Sequence, residues 1–127
     1  MTFADADLSQ DAFLCGRLKL RQPRTGYRAA TDPVLLAAFV PARPGERVLD
    51  LGCGAGTAGL CLAARVSGID LHGLELQPDY AALARRNAAG NGLAMTVHEG
   101  DLRHPPASLR RLVFDHVLAN PPFHRAA

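Results

Sequence analysis

An α/β fold, with a parallel sheet layered between helices, is predicted for this 127-residue chain by three observations. From residue 47 onward, short apolar runs alternate with segments of helix length, the pattern of successive strand-helix-strand units. The run Val48-Leu49-Asp50-Leu51 lacks period-two alternation, as a strand covered on both faces does. Gly52, Gly54, Gly56 and Gly59 follow at once, so the strand turns into a helix through backbone that tolerates positive φ and admits a close ligand. An apolar content of 48% is enough to fill one core and argues against disorder.

Before this unit, the alternation Arg17-Leu18-Lys19-Leu20-Arg21 predicts a strand over residues 13–21, one arm of a hairpin, with Gln22-Pro23-Arg24-Thr25-Gly26 as its turn. Thr31 or Asp32 caps a following helix that takes Pro33 in its first turn and turns Val34, Leu35, Leu36 and Phe39 to one side. Pro41 and the Pro44-Gly45 turn end it. The central strand covers residues 47–51 and the helix after the glycines about residues 57–66. A second strand runs from Asp70 to Leu76, closing a βαβ unit of ordinary length. Pro78 opens the next helix, with Tyr80, Leu83, Ala84 and Asn87 on one side and Asn91-Gly92 as its stop. A third strand covers about Met95 to Glu99, residues 105–112 form a short helix or turn, and Phe114 to Ala119 make a fourth strand. Asn120-Pro121-Pro122-Phe123 stands at its tip, where two prolines stop the ladder and hold Asn120 extended. Residues 1–31 read as an amino-terminal strand or hairpin extension, and residues 32–127 as the ligand-binding domain.

The net charge of +2 conceals an uneven distribution. Asp5, Asp7 and Asp11 make the first eleven residues acidic, whereas residues 12–31 hold Arg17, Lys19, Arg21, Arg24 and Arg28 and no acid. This basic stretch is a candidate contact for the phosphates of a nucleic acid, or else the charged face of a protected strand. Cys15, Cys53 and Cys61 are odd in number and lack ligand spacing, which argues against disulfides and against a metal site. No run approaches the ~20 apolar residues of a membrane span, and the acidic start is unlike a secretory signal, so a cytoplasmic protein is expected.

Three acids, Asp50, Glu75 and Asp101, fall at the tips of successive predicted strands on the glycine side. Gly54-Ala55-Gly56-Thr57-Ala58-Gly59 satisfies the dinucleotide pattern G-x-G-x-x-G, with Glu75 placed for ribose hydroxyls. Asp50 argues the other way: a carboxylate two residues before the first glycine repels a pyrophosphate and attracts a cationic ligand.

The segments VLDLGCGAG, GLELQPDY, EGDL and ANPPF, together with QPRTGYRAATDPVLLAAF, resemble bacterial tRNA adenine amino-methyltransferases of the S-adenosylmethionine-dependent class I. The resemblance covers nearly the whole chain and implies a Rossmann-like class I methyltransferase fold of three layers. By that resemblance Asp50, Gly52, Gly54, Gly56 and Glu75 hold S-adenosylmethionine, Asp101 holds its adenine, and Tyr27, Arg28 and Asp32 close its methionine end. Asn120, Pro121, Pro122 and Phe123 form the catalytic motif, which narrows the acceptor to a planar nitrogen. The Asn120 side-chain oxygen and the Pro121 carbonyl accept the two hydrogens of the amine, favouring the pyramidal nitrogen that attacks, and Phe123 stacks on the displaced base. Arg17, Lys19, Arg21 and Arg24 then face tRNA as partner. The same motif also serves the 2-amino group of guanine or a protein glutamine amide, and a dinucleotide-binding oxidoreductase module is the reading from another class. The family's sheet has seven strands and this chain supplies four, so a fold truncated after the fourth strand is expected. Such a chain should expose Phe114 to Ala119 as an associating edge, bind cofactor weakly and transfer no methyl group.

Overall fold

The computed structural model describes residues 3–25 and 32–120. After a 3-10 turn at Asp5–Asp7, strands β1 (Leu8–Phe13) and β2 (Leu18–Pro23) form an antiparallel hairpin. Then follow α1 (Asp32–Phe39), β3 (Arg47–Leu51), α2 (Thr57–Arg65), β4 (Asp70–Glu75), α3 (Pro78–Gly90), β5 (Thr96–Glu99), α4 (Ala107–Arg110) and β6 (His116–Ala119). The last four strands make one parallel sheet in the order β5-β4-β3-β6, so β3 with its buried Val48, Leu49 and Asp50 is central.

The register sorts the side chains by face. Asp50 lies opposite Gly73 and Leu118, while Leu49 lies opposite His72 and Val117. On the first face Val48, Leu71 and Leu118 share a core with Ala37 of α1, Ala58, Cys61 and Leu62 of α2, and Ala88 of α3. On the second face Leu49 and Leu74 pack with Leu109 of α4. The third layer among the described residues is therefore that four-residue helix, and Val117, on the same face, is 57% exposed.

The amino-terminal hairpin differs from the expectation. Its turn is Leu14 to Arg17, ahead of β2, and Gln22 and Pro23 continue the strand, pairing with Ser9 and Leu8. Leu14 and Cys15 both have positive φ (54° and 55°), so a tight hairpin turn is made without the Asn-Gly or Asp-Gly that would announce it. Leu18 and Leu20 are fully buried in the main core, each contributing roughly 2 kcal/mol of apolar burial. The outer edge of β2 is paired by side chains instead of a strand. Asn91 Oδ1 accepts from the Lys19 N–H and its Nδ2 donates to the Lys19 carbonyl, at 2.9 and 2.8 Å. Asn87, one helical turn earlier on the same face, does the same for Arg21 at 2.8 and 3.0 Å.

In α1 the expected apolar side is only partly used: Pro33 and Ala37 are buried, while Leu35 and Phe39 are 51% and 81% exposed. The helix is held from below by Arg65, whose Nη2 donates to the Ala37 and Val40 carbonyls at 3.0 and 2.6 Å. Among the described residues no helix is long and apolar enough to cross a membrane, and no group of three or more His, Cys, Asp or Glu side chains could hold a metal ion.

Candidate functional site

A cavity of about 430 Å³ opens at the carboxyl ends of β3, β4 and β6. Its floor is Asp50, Gly52, Cys53, Gly54 and Ala55, one wall is Glu75, Gln77 and Tyr80, and Asn120 closes the side beyond β6. The position follows from topology, because parallel strands feed their loops to one end and the strand order reverses at β3, with β4 and β5 added on one side and β6 on the other.

Gly52 and Gly54 have φ of 62° and 56°, and a Cβ at either would meet nothing within 4 Å. These glycines thus serve backbone conformation and an open cradle, not tight packing. Gly56 ends the turn at the amino terminus of α2 with φ 92°, and it does not line the cavity. Gly59 has a packing role: a Cβ there would lie 3.1 Å from an Asp50 carboxylate oxygen and 3.2 Å from Leu71. The third glycine of G-x-G-x-x-G is therefore accounted for by close approach of α2 to the sheet, with no pyrophosphate needed to explain it.

Asp50 is 2% exposed, and its Oδ2 accepts from the Gly59 N–H at 3.1 Å. Burial, which one backbone hydrogen bond only partly offsets, pushes its carboxyl up to about 7, and the nearby Glu75 carboxylate adds to the rise. Glu75 is held at both oxygens. Oε1 accepts from the Gly54 N–H at 2.8 Å and Oε2 from the Gln77 N–H at 2.9 Å, which fixes the carboxylate across the glycine loop. Each oxygen keeps a further lone pair for a ligand hydroxyl. The same carboxylates act on their neighbours: burial and then the two acids push the Cys53 thiol upward, and burial and then Glu75 raise the Tyr80 phenol. Among the described residues, the charged side chains lining the cavity are Asp50 and Glu75, both acids.

Other expected site residues are placed differently. Asp101 does not line the cavity, and its carboxylate is taken by Arg103, through the backbone N–H at 2.9 Å and the guanidinium at 2.8 Å, which holds it below the usual carboxylate range. Asp32 begins α1 and is exposed, while its neighbour Pro33 is the residue that reaches the cavity. Tyr27, Arg28, Pro121, Pro122 and Phe123 lie outside the described residues. Of the four basic candidates, the Arg17 guanidinium donates to the Ala64 carbonyl and Arg24 to the Ala6 carbonyl, whereas Lys19 and Arg21 point to a second recess beside α3.

Sequence reasoning missed Gln22 and Pro23, which bring the hairpin to the cavity rim. The signal for Gln22 was available: it shares the buried face of β2 with Leu18 and Leu20 and is 3% exposed. Asn87 lies on the buried side of α3, as its sequence position predicts, and does more. Its Nδ2 also donates to the Ala55 carbonyl at 2.9 Å, so one buried side chain ties α3, the hairpin and the glycine loop together. A polar chain on the second face of the sheet was also unforeseen, running from Asp70 through His72 and His98 to Ser108 at 3.0, 2.9 and 2.8 Å.

Comparison with known proteins agrees with this geometry. Over 107 residues the chain is 36% identical to the tRNA1(Val) (adenine(37)-N6)-methyltransferase of Yersinia enterocolitica, covering 82% of this chain and 42% of that protein. It is 30% identical over 129 residues to the enzyme of the same name from Salmonella arizonae, covering 98% and 51%. The chain thus spans about half the length of the curated relatives it matches. Among solved structures, TrmN from Thermus thermophilus is 34% identical with a TM-score of 0.60, over 71% of this chain and 27% of that one. The T. thermophilus 16S rRNA N2 G1207 methyltransferase, solved with AdoMet and guanosine, superimposes with a TM-score of 0.70 over 94% and 34% at 22% identity, a likeness of fold alone. The doubly held acid, the glycine cradle and the strand order are thus met in a sequence that matches one family over residues 30–127: the chain belongs to the methyltransferase small domain family.

Proposed function

We propose that residues 32–127 are the cofactor-binding part of an S-adenosylmethionine-dependent N-methyltransferase that acts on the exocyclic amine of an adenine in tRNA, in the cytoplasm, with the 1–31 segment as an extension bearing nucleic-acid contacts. The observation that carries the cofactor is the cavity itself, whose lining charges among the described residues are two acids beside an open glycine cradle. A sulfonium and an ammonium suit that field, and a pyrophosphate is repelled by it. Glu75, with both oxygens already oriented by backbone N–H groups, would take the ribose hydroxyls, and the cradle at Gly52 and Gly54 would pass the backbone of the ligand. Asp50 would answer the cationic end. For Asp101 to reach the adenine, its contact with Arg103 would have to open. Tyr27, Arg28 and Asp32 would close the methionine end. When bound, S-adenosylmethionine supplies an electrophilic methyl group.

The protein's own part is to present the acceptor. Asn120, at the cavity edge beside the β3 tip, and the Pro121 carbonyl would accept the two N–H groups of the amine, and Pro122 would keep that segment rigid. Amine hydrogens held in this way favour the tetrahedral nitrogen, whose lone pair is no longer shared with the ring. Phe123 would stack on the base turned out of its helix, a contact worth roughly 1–3 kcal/mol. The adenine and tRNA assignments are supported by the names of the relatives at 30–36% identity. The test is mass spectrometry of tRNA and rRNA nucleosides and of protein digests from a strain lacking the gene: an N6-methyladenosine of tRNA should vanish. Loss of N2-methylguanosine or of a methylated glutamine, with N6-methyladenosine unchanged, would assign the acceptor elsewhere.

A further inference from the structure

The basic recess beside α3 is a second site with its own chemistry. It has a volume of about 290 Å³ and is lined by Gln10, Lys19 and Arg21 from the outward face of the hairpin and by Arg86, Asn87 and Asn91 from α3. Three cations therefore converge from two elements that are locked together by the Asn87 and Asn91 bonds, so their spacing is fixed by the fold. Among the described residues no carboxylate lies within ion-pair distance of Lys19 or Arg21. Arg86 is paired to Asp5 at 2.8 Å, and the same acid also feels Arg21. Both partners of that pair are exposed, at 43% and 76%, so the bond is weak and exchangeable. The carbonyls at the end of α3 would oppose an anion, but those of Asn87, Ala88 and Ala89 are already taken by the N–H groups of Asn91, Gly92 and Leu93.

We propose that this recess binds a phosphate of the nucleic-acid backbone, with Lys19, Arg21 and Arg86 as its ligands and Asp5 as an intramolecular stand-in that the phosphate displaces. The inference rests on the tRNA reading above and narrows it, because it leaves out Arg17 and Arg24, whose guanidinium groups are occupied by backbone carbonyls, and adds Arg86. Planar guanidinium groups bind phosphate through paired donors, which suits Arg21 and Arg86, and Lys19 adds a point charge. The recess also adjoins the cofactor cavity: Arg21 lines one and Gln22 the other, and Asn87 in the recess wall holds the Ala55 carbonyl of the glycine loop.

The test uses the 127-residue chain, with inorganic phosphate and a fluorescent single-stranded RNA as probes. In NMR, phosphate at constant ionic strength should shift the Arg21 and Arg86 Nε–H signals saturably, and chloride should not. In anisotropy titrations Arg86→Gln should weaken RNA binding about fivefold and reduce the slope of log affinity against log salt by about 0.7. Asp5→Asn, which removes the competitor, should strengthen it by a factor of about two to five. Unchanged RNA affinity in both variants would overturn the proposal, and if phosphate still saturated the recess, the site would be one for a free anion. Calorimetry with S-adenosylhomocysteine on the wild-type chain separates the two readings. Binding there with no effect of the variants sinks the recess alone, whereas no binding there sinks the cofactor assignment and leaves the phosphate shifts to be judged independently.

Discussion

Asp50 combines a position under the glycine loop with almost complete burial, and its chemistry is set by that combination. With the carboxyl pushed up to about 7 from an ordinary 3.8, the folded chain keeps a proton over a range where the unfolded chain has lost it. Stability from this group is therefore greatest below about pH 4 and falls as pH rises towards 7, by an amount on the order of 4 kcal/mol at most, at about 1.4 kcal/mol per pH unit. His98 acts oppositely, since burial and then the positive charges of His72 and Arg85 lower its affinity for a proton, so its share is lost as pH falls below about 6.5. The Asp50 contribution is thus read as the difference between wild type and Asp50→Asn in urea melts from pH 4 to 8, and that difference should shrink as pH falls. A cationic ligand should reverse the preference and release a proton. Calorimetry in buffers of different ionisation enthalpy should show close to one proton released at pH 6 and almost none at pH 8. At Gly54, whose φ is 56°, alanine should cost roughly 1–2 kcal/mol of backbone strain and at least tenfold in ligand affinity, measured by melting and calorimetry.

At the scale of elements, the Asn87 side chain is the joint of the amino-terminal half. It is 3% exposed and satisfies the Arg21 N–H and the Arg21 and Ala55 carbonyls. Replacement by alanine strands all three, so Asn87→Ala should lose about 2–4 kcal/mol in urea denaturation, while the more exposed Asn91→Ala should lose about 1. The hairpin turn holds reserve in the other direction. Cys15 is exposed with φ 55°, and Cys15→Gly should raise stability by about 0.5–1 kcal/mol. The same turn shows why the hairpin was misread. The alternation of Leu18, Lys19, Leu20 and Arg21 announced β2, but a Leu-Cys pair at positive φ carries no turn signature, and Gln22-Pro23 does. Where the local code was ordinary, as in β3, the glycine turn, β4 and the Pro78 start of α3, the boundaries agree within a residue or two.

Across the whole molecule, the parallel sheet was legible because the central strand β3 is a near-continuous apolar run and short strand segments alternate with helix-length ones, and the cavity was legible because glycines and acids fell at strand tips. Contacts between distant segments were not legible. The pairing of Asn87 with β2 and the step from His72 to His98 and Ser108 depend on which surfaces meet, and single residues carry no signal for that, whereas the capture of Asp101 by Arg103, two residues on, is a local contact. The central claim is that the two-acid cavity receives S-adenosylmethionine or its product, and it is tested most directly by calorimetric titration of the purified chain. S-adenosylhomocysteine should bind with a one-to-one stoichiometry, NADH should not bind, and Glu75→Ala should abolish the heat while the circular dichroism spectrum keeps its folded shape. Tight NADH binding, or a folded chain indifferent to S-adenosylhomocysteine, would contradict the account.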